Sequence, residues 1–320
     1  MSMPMLVLTG TFRAKGFRPD GDTVDFTPDD PADWKLVPGA RPVVPRSDGN
    51  APIRLEGVDA LETHYGDKTS PSGIQHQPLG LAHAAADELL TALAFTDFHR
   101  VEPEPGAPPN PDAEKIISTI PEATHGYVLT RGADIFGRCV GLVGKGFPPA
   151  PNGYLIDVDE HALQNTANYQ LVKAGLVYPT YYSEFPELLR ASLTAAAAVA
   201  VAAAAAPEPA PAPGSKPKPN LWRKDTTTTG TEVTGLDSLT TANGAVILPK
   251  LFRRLKDYLD LNPSDPSLSC FRAYLAGAAE DRFYLQGKPE VFSGMHHIVE
   301  VKDHTVRMTH GPTEIVFVEK

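Results

Sequence analysis

The chain has 320 residues, enough for two domains, because a single hydrophobic core usually stops growing at about 250–300 residues. Hydrophobic residues make up 42% of it and charged residues 21%, which excludes a wholly disordered chain. Asp and Glu outnumber Lys and Arg by 39 to 29, and the resulting formal charge of -10 argues against a broad basic surface that wraps nucleic acid. A smaller, local phosphate-binding site is compatible with this charge.

The first 206 residues predict a mixed α+β fold. Alternating or β-branched apolar runs predict strands over 6–12, 23–26, 53–58, 127–130 and 138–143. Apolar residues at helical spacing, together with an Ala- and Leu-rich run, predict helices over 78–97, 160–174 and 186–206. Stretches rich in Pro, Asp and Gly predict long loops over 27–52 and 101–124.

The remainder of the sequence changes character after a proline-rich insertion at 207–219, which favours an extended conformation without a core. We expect a linker over 226–242 and then a small, separately folding α+β accessory domain over 243–320. Within this domain the pattern predicts one helix, over 246–259, and strands over 297–301, 305–309 and 313–318.

The cysteines and the apolar runs indicate the cellular compartment in which we expect the protein. Cys139 and Cys270 cannot form a disulfide framework or a four-thiolate zinc site, which suits a reducing compartment. The first residues lack the layout of a signal peptide, and the Ala and Val run over 195–206 is shorter than the ~20 residues that a bilayer needs. We therefore expect a soluble cytoplasmic protein with no membrane partner.

Four short fragments place charged groups beside tight turns or strand ends. They are Asp20-Gly21-Asp22-Thr23-Val24, Ile53-Arg54-Leu55-Glu56-Gly57-Val58-Asp59, Ala60-Leu61-Glu62-Thr63 and Asp134-Ile135-Phe136-Gly137-Arg138. Arg54 projects from an apolar strand, so it needs an anionic partner. Taken singly, each fragment is also typical of ordinary structure, because Asp-Gly forms common hairpin turns and Arg pairs commonly with carboxylates.

In combination and in this order, the four fragments resemble the staphylococcal nuclease (thermonuclease) family. The likeness continues through 168–176 and through Asn220-Leu221-Trp222, so it covers about residues 5–224 and defines a first domain over 1–225. The resemblance implies a five-stranded OB-type β-barrel with three helices. It also implies a calcium-dependent nuclease that hydrolyses phosphodiester bonds of DNA and/or RNA with little sequence specificity.

The resemblance implies a Ca²⁺ site. Asp22 and Asp59 would bind the ion through their carboxylates, and Ala60 would add its backbone carbonyl, a set of hard oxygen ligands that suits this metal. The family's usual Thr-Pro is Ala60-Leu61 in this sequence. The exchange keeps the backbone ligand but removes a rigid proline, which predicts a looser Glu62 and a lower activity.

The resemblance also assigns the phosphate chemistry. Glu62 would act as the general base on the attacking water, while Arg54 and Arg138 would hold the phosphate oxygens through their planar forks. Phe136 would offer an aromatic platform for a base, and Tyr181 falls near a family tyrosine that contacts the nucleotide.

Two further features are a turn and a basic stretch, and the role of the basic stretch is left open by the sequence. Asp134 is expected to fix the turn that carries Arg138. The dense basic stretch of the C-terminal domain could contact a nucleic-acid backbone or an acidic partner, although at helical spacing a solvated face is the commoner arrangement. This stretch consists of Lys250, Arg253, Arg254 and Lys256.

Two further residue types carry weaker expectations. Histidines of the C-terminal domain, at His296, His297, His304 and His310, could bind a metal, but a plain strand surface is the favoured interpretation. Cys139 is expected to be buried filler and not a nucleophile.

A rival function belongs to another class, a non-catalytic OB-type module that binds nucleic acid or protein. The joint presence of Arg54, Glu62 and Arg138 favours the enzyme. Apolar residues of the C-terminal domain suggest that this domain meets a protein partner or a second copy of the chain.

Overall fold

The computed structural model describes residues 4–101, 114–207, 218–278 and 281–319. Contacts divide the chain into two compact units. The first unit comprises the described parts of Met1–Glu56, Ala85–Leu171 and Pro186–Ser192, and the second those of Gly57–Ala84, Val172–Phe185 and Leu193–Lys320. The predicted linker over 226–242 is therefore not where the units divide, and separate folding of 243–320 stays a prediction.

The secondary structure of the described residues, in chain order, has the following bounds. The strands are β1 (Met5–Arg13), β2 (Thr23–Pro28), β3 (Ala51–Leu55), β4 (Val58–Ala60), β5 (Asp97–Arg100), β6 (Ile116–Ile120), β7 (Thr124–Ala133), β8 (Cys139–Lys145), β9 (Leu155–Ile156), β10 (Val177–Pro179), β11 (Tyr181–Tyr182), β12 (Thr231–Glu232), β13 (Arg282–Leu285), β14 (Val291–Ser293), β15 (Val299–Lys302), β16 (Thr305–Met308) and β17 (Ile315–Phe317). The α-helices are α1 (Leu79–Ala92), α2 (Glu160–Gln164), α3 (Ala167–Ala174), α4 (Glu187–Ala205), α5 (Asp237–Thr240), α6 (Pro249–Leu259) and α7 (Phe271–Gly277). Short 3₁₀ helices lie at Pro31–Leu36, Leu221–Arg223, Met295–His297 and Pro312–Glu314.

The first unit contains a closed five-stranded β-barrel. Its strands are ordered β2-β3-β8-β7-β1, and β1 pairs back to β2 to close the ring. All pairings are antiparallel except that of β3 with β8, and β9 adds a short sixth strand beside β1. Alternate side chains such as Phe12, Phe26 and Ile53 are fully buried, so the period-two apolar pattern fills the barrel interior. A mixed α+β fold with a five-stranded barrel, consistent with an OB-type barrel, is thus confirmed.

Two predicted elements of this region are split in the structure. The run over 53–58 becomes β3 and β4, because Gly57 turns the chain with a φ of 79°. The helix predicted over 160–174 becomes α2 and α3. The Thr166 hydroxyl donates to the carbonyl of Leu163 at 2.6 Å, at the junction between the two helices.

Other bounds differ from the predicted ones. The helix predicted over 78–97 ends at Ala92, since Ala94 adopts a left-handed φ of 72° and β5 follows. The loop predicted over 27–52 contains a 3₁₀ helix at Pro31–Leu36. Of the loop predicted over 101–124, residues 102–113 lie outside the described part, and β6 occupies Ile116–Ile120.

The second unit has its own core. It contains a four-stranded sheet ordered β11-β17-β13-β14, a three-stranded sheet ordered β12-β16-β15 and the β10-β4 pair. Helix α6 starts at Pro249, a position that suits proline at the first helical turn, and buries one face against this core. Residues from the predicted nuclease domain join residues of the C-terminal region in one buried cluster, whose members include Leu61, Ala82, Tyr178, Leu221, Leu251, Phe252, Leu255, Phe271 and Phe283.

Within the described residues, α4 is long and apolar enough to cross a membrane by length and composition. Helices in the core of soluble proteins can have the same length and apolar composition. Several of its side chains, such as Leu189, Leu193 and Ala197, are buried inside the protein. Its last carbonyls are capped by Arg223, which donates to Ala204 at 2.9 Å. Of the predicted run over 195–206, the residues up to Ala205 form the second half of a 19-residue helix.

Candidate functional site

The predicted metal ligand Asp59 lies in the middle of β4, in the second unit. Strand β4 pairs antiparallel with β10, which places Asp59 opposite Tyr178. The preceding turn needs glycine, because a Cβ at Gly57 would lie 2.8 Å from Leu193 Cδ1 and φ there is 79°. Asp59 is fully buried and Glu62 is 9% exposed. Carboxylates are this buried almost only when they are paired.

The backbone of Glu62 is held by Gln77, a residue that the sequence analysis missed. The Gln77 side-chain oxygen accepts from the Glu62 N–H at 3.2 Å, and the Gln77 N–H donates to the Glu62 carbonyl at 2.9 Å. The Gln77 amide also donates to the carbonyl of Ile247 at 2.8 Å. Nothing local in the sequence marks this role, because the two partners of Gln77 are 15 and 170 residues away.

Leu61 anchors this segment. Its side chain is fully buried in the core cluster of the second unit. Packing therefore holds the segment, and Gln77 fixes the following backbone. These contacts oppose the loosening of Glu62 that the loss of proline predicts.

The two carboxylates converge on one guanidinium, that of Arg253 on α6. Arg253 Nη2 lies 3.0 Å from Asp59 Oδ2, and Nη1 lies 3.4 Å from Asp59 Oδ1. Nη1 also donates to Oε1 of Glu62. The side-chain exposures are 23% for Arg253, 1% for Asp59 and 11% for Glu62, so the contact is largely shielded from solvent. In the sequence, Arg253 is distinguished only as one member of a basic stretch.

The electrostatic balance at this contact favours the charged form of Arg253. Burial by itself lowers the pKa of Arg253, because it penalises the charged guanidinium. Attraction to Asp59 and Glu62 outweighs burial and holds the pKa well above its ordinary value. The arginine is thus a permanent positive charge beside two buried carboxylates.

In the first unit, Arg54 has the anionic partner that the sequence demanded. Its guanidinium forms an ion pair with Asp22, with side-chain exposures of 17% and 7%. The pairing of β2 with β3 places Arg54 opposite Thr23, next to Asp22. The Asp22 carbonyl also accepts from the Leu55 N–H at 2.7 Å, which fixes the two segments to each other.

The turn that carries Arg138 is built by Asp134, as expected. The Asp134 carboxylate accepts from the backbone N–H groups of Phe136 at 2.9 Å and Arg138 at 3.0 Å, and from Arg138 Nε at 2.7 Å. Gly137 closes the turn with a φ of 78°. The ring of Phe136 is 74% exposed, with the Arg138 guanidinium 5.6 Å from its centroid. An exposed aromatic ring of this kind can serve as a stacking surface.

Tyr181 does not have the surface position that a nucleotide contact requires. Its side chain is fully buried in the second unit. The hydroxyl lies 2.7 Å from Thr194 Oγ1, and the ring stacks on Phe185. The burial of Tyr181 therefore contradicts the predicted contact with a nucleotide.

The predicted basic patch on α6 is not a solvated face, so the favoured interpretation of it was wrong. Lys250 and Arg254 both pair with Asp281, at 3.4 and 2.8 Å, and Lys256 pairs with Asp260 at 2.7 Å. Lys250 also lies over the ring of Phe317, 4.2 Å from its centroid. The acidic partners of Lys250, Arg254 and Lys256 are thus residues of the same chain.

The implied Ca²⁺ ligands do not fit the ion as they are arranged. Asp22 is engaged by Arg54, and Asp59 by Arg253. Ala60 lies in β4 opposite Val177. Among the described residues, no group of three or more His, Cys, Asp or Glu side chains could hold a metal ion.

The described C-terminal histidines belong to no such group, and their interpretation as plain strand surface stays a prediction. Cys139 is buried and donates to Thr130 Oγ1 at 3.2 Å. Burial raises the pKa of its thiol to about 12. A thiol with this pKa stays protonated near neutral pH, so Cys139 is not a nucleophile.

Comparison with known proteins does not name a family. No protein-family model matches the chain, and no curated protein matches it significantly. The resemblance to staphylococcal nucleases therefore stays a prediction from the residues.

Proposed function

We propose that the chain is a phosphodiesterase that hydrolyses DNA or RNA, of the staphylococcal nuclease type, with Asp59 and Glu62 as its working carboxylates. One observation carries the proposal: the two side chains are buried and converge on a single cationic group. Clusters of buried, strongly coupled charges are enriched at functional sites.

Glu62 is the proposed general base. An ionised carboxylate accepts a proton from water while the water oxygen forms a bond to phosphorus and the bond from phosphorus to the leaving oxygen breaks. This step requires Glu62 to be ionised, and Glu62 forms an ion pair with Arg253 in the structure. Gln77 supports the step by fixing the backbone of Glu62 at both its N–H and its carbonyl.

Arg54 and Arg138 are the proposed phosphate ligands, on the resemblance alone. A guanidinium presents parallel N–H donors that match two phosphate oxygens. Each forms an ion pair with a carboxylate in the structure, Arg54 with Asp22 and Arg138 with Asp134. Phe136 is the proposed stacking surface for a base.

The test is a cleavage assay on plasmid, single-stranded DNA and RNA, with Ca²⁺ and with chelator. Glu62→Gln is expected to lower turnover by about 10² or more, the usual effect of removing a positioned general base. Glu300→Gln is the matched control, because Glu300 is 52% exposed and lies in a surface ion pair. A Glu62→Gln rate within a few fold of wild type removes Glu62 from the mechanism.

A second candidate is a non-catalytic module that binds nucleic acid or protein. It is favoured by the ion pairs that Arg253 of the same chain forms with both Asp59 and Glu62. This candidate predicts that wild type and Glu62→Gln bind single-stranded DNA equally and that neither cleaves it. Cleavage by the wild type would eliminate the module as the sole function.

A further inference from the structure

A short run of cations in the first unit has no role in the proposed chemistry. The residues from Arg13 to Arg18 carry three positive charges, those of Arg13, Lys15 and Arg18, and no carboxylate, in a chain whose formal charge is -10. They lie at the end of β1 and in the turn that leads to β2, where Arg13 and Lys15 are exposed and Arg18 is partly exposed. We propose that residues 13–18, the cationic turn, bind the phosphate backbone of single-stranded nucleic acid.

The backbone of the cationic turn is fixed. The Phe17 N–H donates to the carbonyl of Ala14 at 3.0 Å, and Gly16 has a φ of 89°, as the third residue of a type II turn requires. The Gly16 N–H donates to the Ile116 carbonyl at 2.8 Å, and the Ile116 N–H donates to the Phe17 carbonyl at 2.9 Å. Ile116 is fully buried, so these bonds tie the turn to the core. Less conformational freedom is then lost when an anion binds.

The charges of the cationic turn are available to a ligand. Carboxylates near the turn pair with arginines outside it, Asp25 with Arg46 and Asp22 with Arg54. Within the part of the chain that the structure describes, no carboxylate forms an ion pair with any of the three cations of the turn. Three such cations within six residues attract a polyanion, whose successive phosphates can each meet one of them.

Phe17 distinguishes a nucleic acid from other polyanions. Its side chain is partly exposed, and the Arg46 guanidinium lies 4.7 Å from the ring centroid. Cations interleaved with an aromatic ring are typical of surfaces that bind single strands, because the cations follow the backbone while a base stacks on the ring. A duplex fits this arrangement less well, since its bases are already stacked on one another. An acidic protein segment would use the cations but gain nothing from the ring.

The cationic turn leads to the proposed phosphate ligand Arg54, in the same unit. Arg18 precedes Asp22 by four residues, so their Cα atoms are at most roughly 14 Å apart. Asp22 in turn pairs with Arg54. Single-strand sites on small β-barrels span about 4–16 nucleotides. A strand of that length reaches both the cationic turn and Arg54.

The experiment measures how the full chain binds a fluorescent single-stranded oligothymidylate, with chelator present, at salt concentrations from about 50 to about 200 mM. The turn variant removes the three cations of the turn. The matched control removes three exposed cations of the second unit, so both variants change the net charge equally. The turn variant is Arg13→Gln/Lys15→Gln/Arg18→Gln, and the control is Lys173→Gln/Lys288→Gln/Lys302→Gln.

The salt dependence counts the phosphate contacts. Each contact with a single strand adds about 0.7 to the slope of the logarithm of the binding constant against the logarithm of the salt concentration. The turn variant is expected to reduce this slope by about 2 and to bind at least about tenfold more weakly at about 0.1 M salt, while the control keeps both values. An unchanged slope in the turn variant overturns the proposal. An equal loss in the control also overturns it, because net charge would then explain the binding.

Phe17 gives a second readout. Phe17→Leu keeps an apolar side chain without the ring, and it is expected to weaken oligothymidylate binding about fivefold or more while leaving binding of inorganic polyphosphate unchanged. Equal binding of oligothymidylate by Phe17→Leu and wild type overturns the choice of nucleic acid, as does polyglutamate that competes as well as the oligonucleotide. If the turn variant does not fold by circular dichroism, Lys15→Gln decides, with an expected slope change of about 0.7.

The inference rests on the proposed function in taking nucleic acid as the ligand, but the two can fail separately. Salt-dependent binding through the cationic turn with no cleavage of any substrate supports the binding site and rejects the nuclease. Cleavage by the wild type, with oligothymidylate binding unchanged in the turn variant, supports the nuclease and rejects the binding site.

Discussion

Two arginine–carboxylate contacts, one in each unit, differ in almost every physical respect. Arg138 pairs with Asp134 four residues earlier, inside one turn, and both side chains are partly exposed, at 34% and 19%. Arg253 pairs with Asp59 and Glu62, which precede it by 194 and 191 residues, and the contact is mostly buried. The first pair can be recognised from sequence, whereas the second requires the fold.

The energetic consequences differ as well. An exposed ion pair contributes about 0–1 kcal/mol, because water and salt screen it. Breaking a buried pair by removing one partner costs about 3–5 kcal/mol, because a charge is left buried without compensation.

The largest expected effect is that of truncation after Lys224. All but four members of the buried cluster of the second unit lie beyond this residue, the exceptions being Leu61, Ala82, Tyr178 and Leu221. We expect the truncated chain to lose the cooperative unfolding transition of the second unit in circular dichroism and calorimetry. A separately folding accessory domain predicts the opposite, a folded truncation that still cleaves naked DNA. That result would contradict the shared core.

The next effect is that of Asp281→Asn on the buried acidic partner of α6. Asp281 is 4% exposed and pairs with Lys250 and Arg254. The substitution is expected to lower the free energy of unfolding by about 3–5 kcal/mol at pH 7, measured by urea denaturation. Glu300→Gln, at an exposed pair with Arg307, is the control and should change it by less than about 1 kcal/mol.

The same variant carries a pH dependence. Burial by itself raises the pKa of Asp281, but Lys250 and Arg254 outweigh it and hold the pKa below the ordinary value of 3.8. The unfolded chain therefore binds more protons than the folded one between these two pKa values, so stability falls as pH falls through this window. The difference between wild type and Asp281→Asn should be full above pH 3.8 and shrink below it. A difference that grows on acidification would contradict the assignment.

The smallest expected effect is that of Asp134→Ala. The substitution removes an exposed ion pair and the acceptor for two backbone N–H groups of one surface turn. We expect a loss of about 1 kcal/mol in the free energy of unfolding, because solvent can replace these partners. A loss as large as that of Asp281→Asn would remove the distinction between local and buried contacts.

Much of the first unit could be predicted from sequence. Each barrel strand follows from its own apolar alternation, and the Asp134 turn follows from an Asp and a Gly three residues apart. The predicted bounds were wrong where one apolar run contains two strands, as in β3 and β4 on either side of Gly57. The residue pattern does not show where the chain turns within such a run. Tyr181 was predicted to contact a nucleotide but is buried, because aromatic residues occur both on ligand-binding surfaces and in hydrophobic cores.

The sequence by itself determined the strands of the barrel, most of its helices and the order of the charged fragments, because these depend on the spacing of neighbouring residues. Only the tertiary structure decided that Gln77 holds Glu62, that Leu61 belongs to the core of the second unit and that Arg253 pairs with Asp59 and Glu62. Burial is the physical reason. A charge that leaves water needs a partner within about 4 Å, and the chain meets that need with whichever residue the fold brings there, regardless of its distance along the sequence.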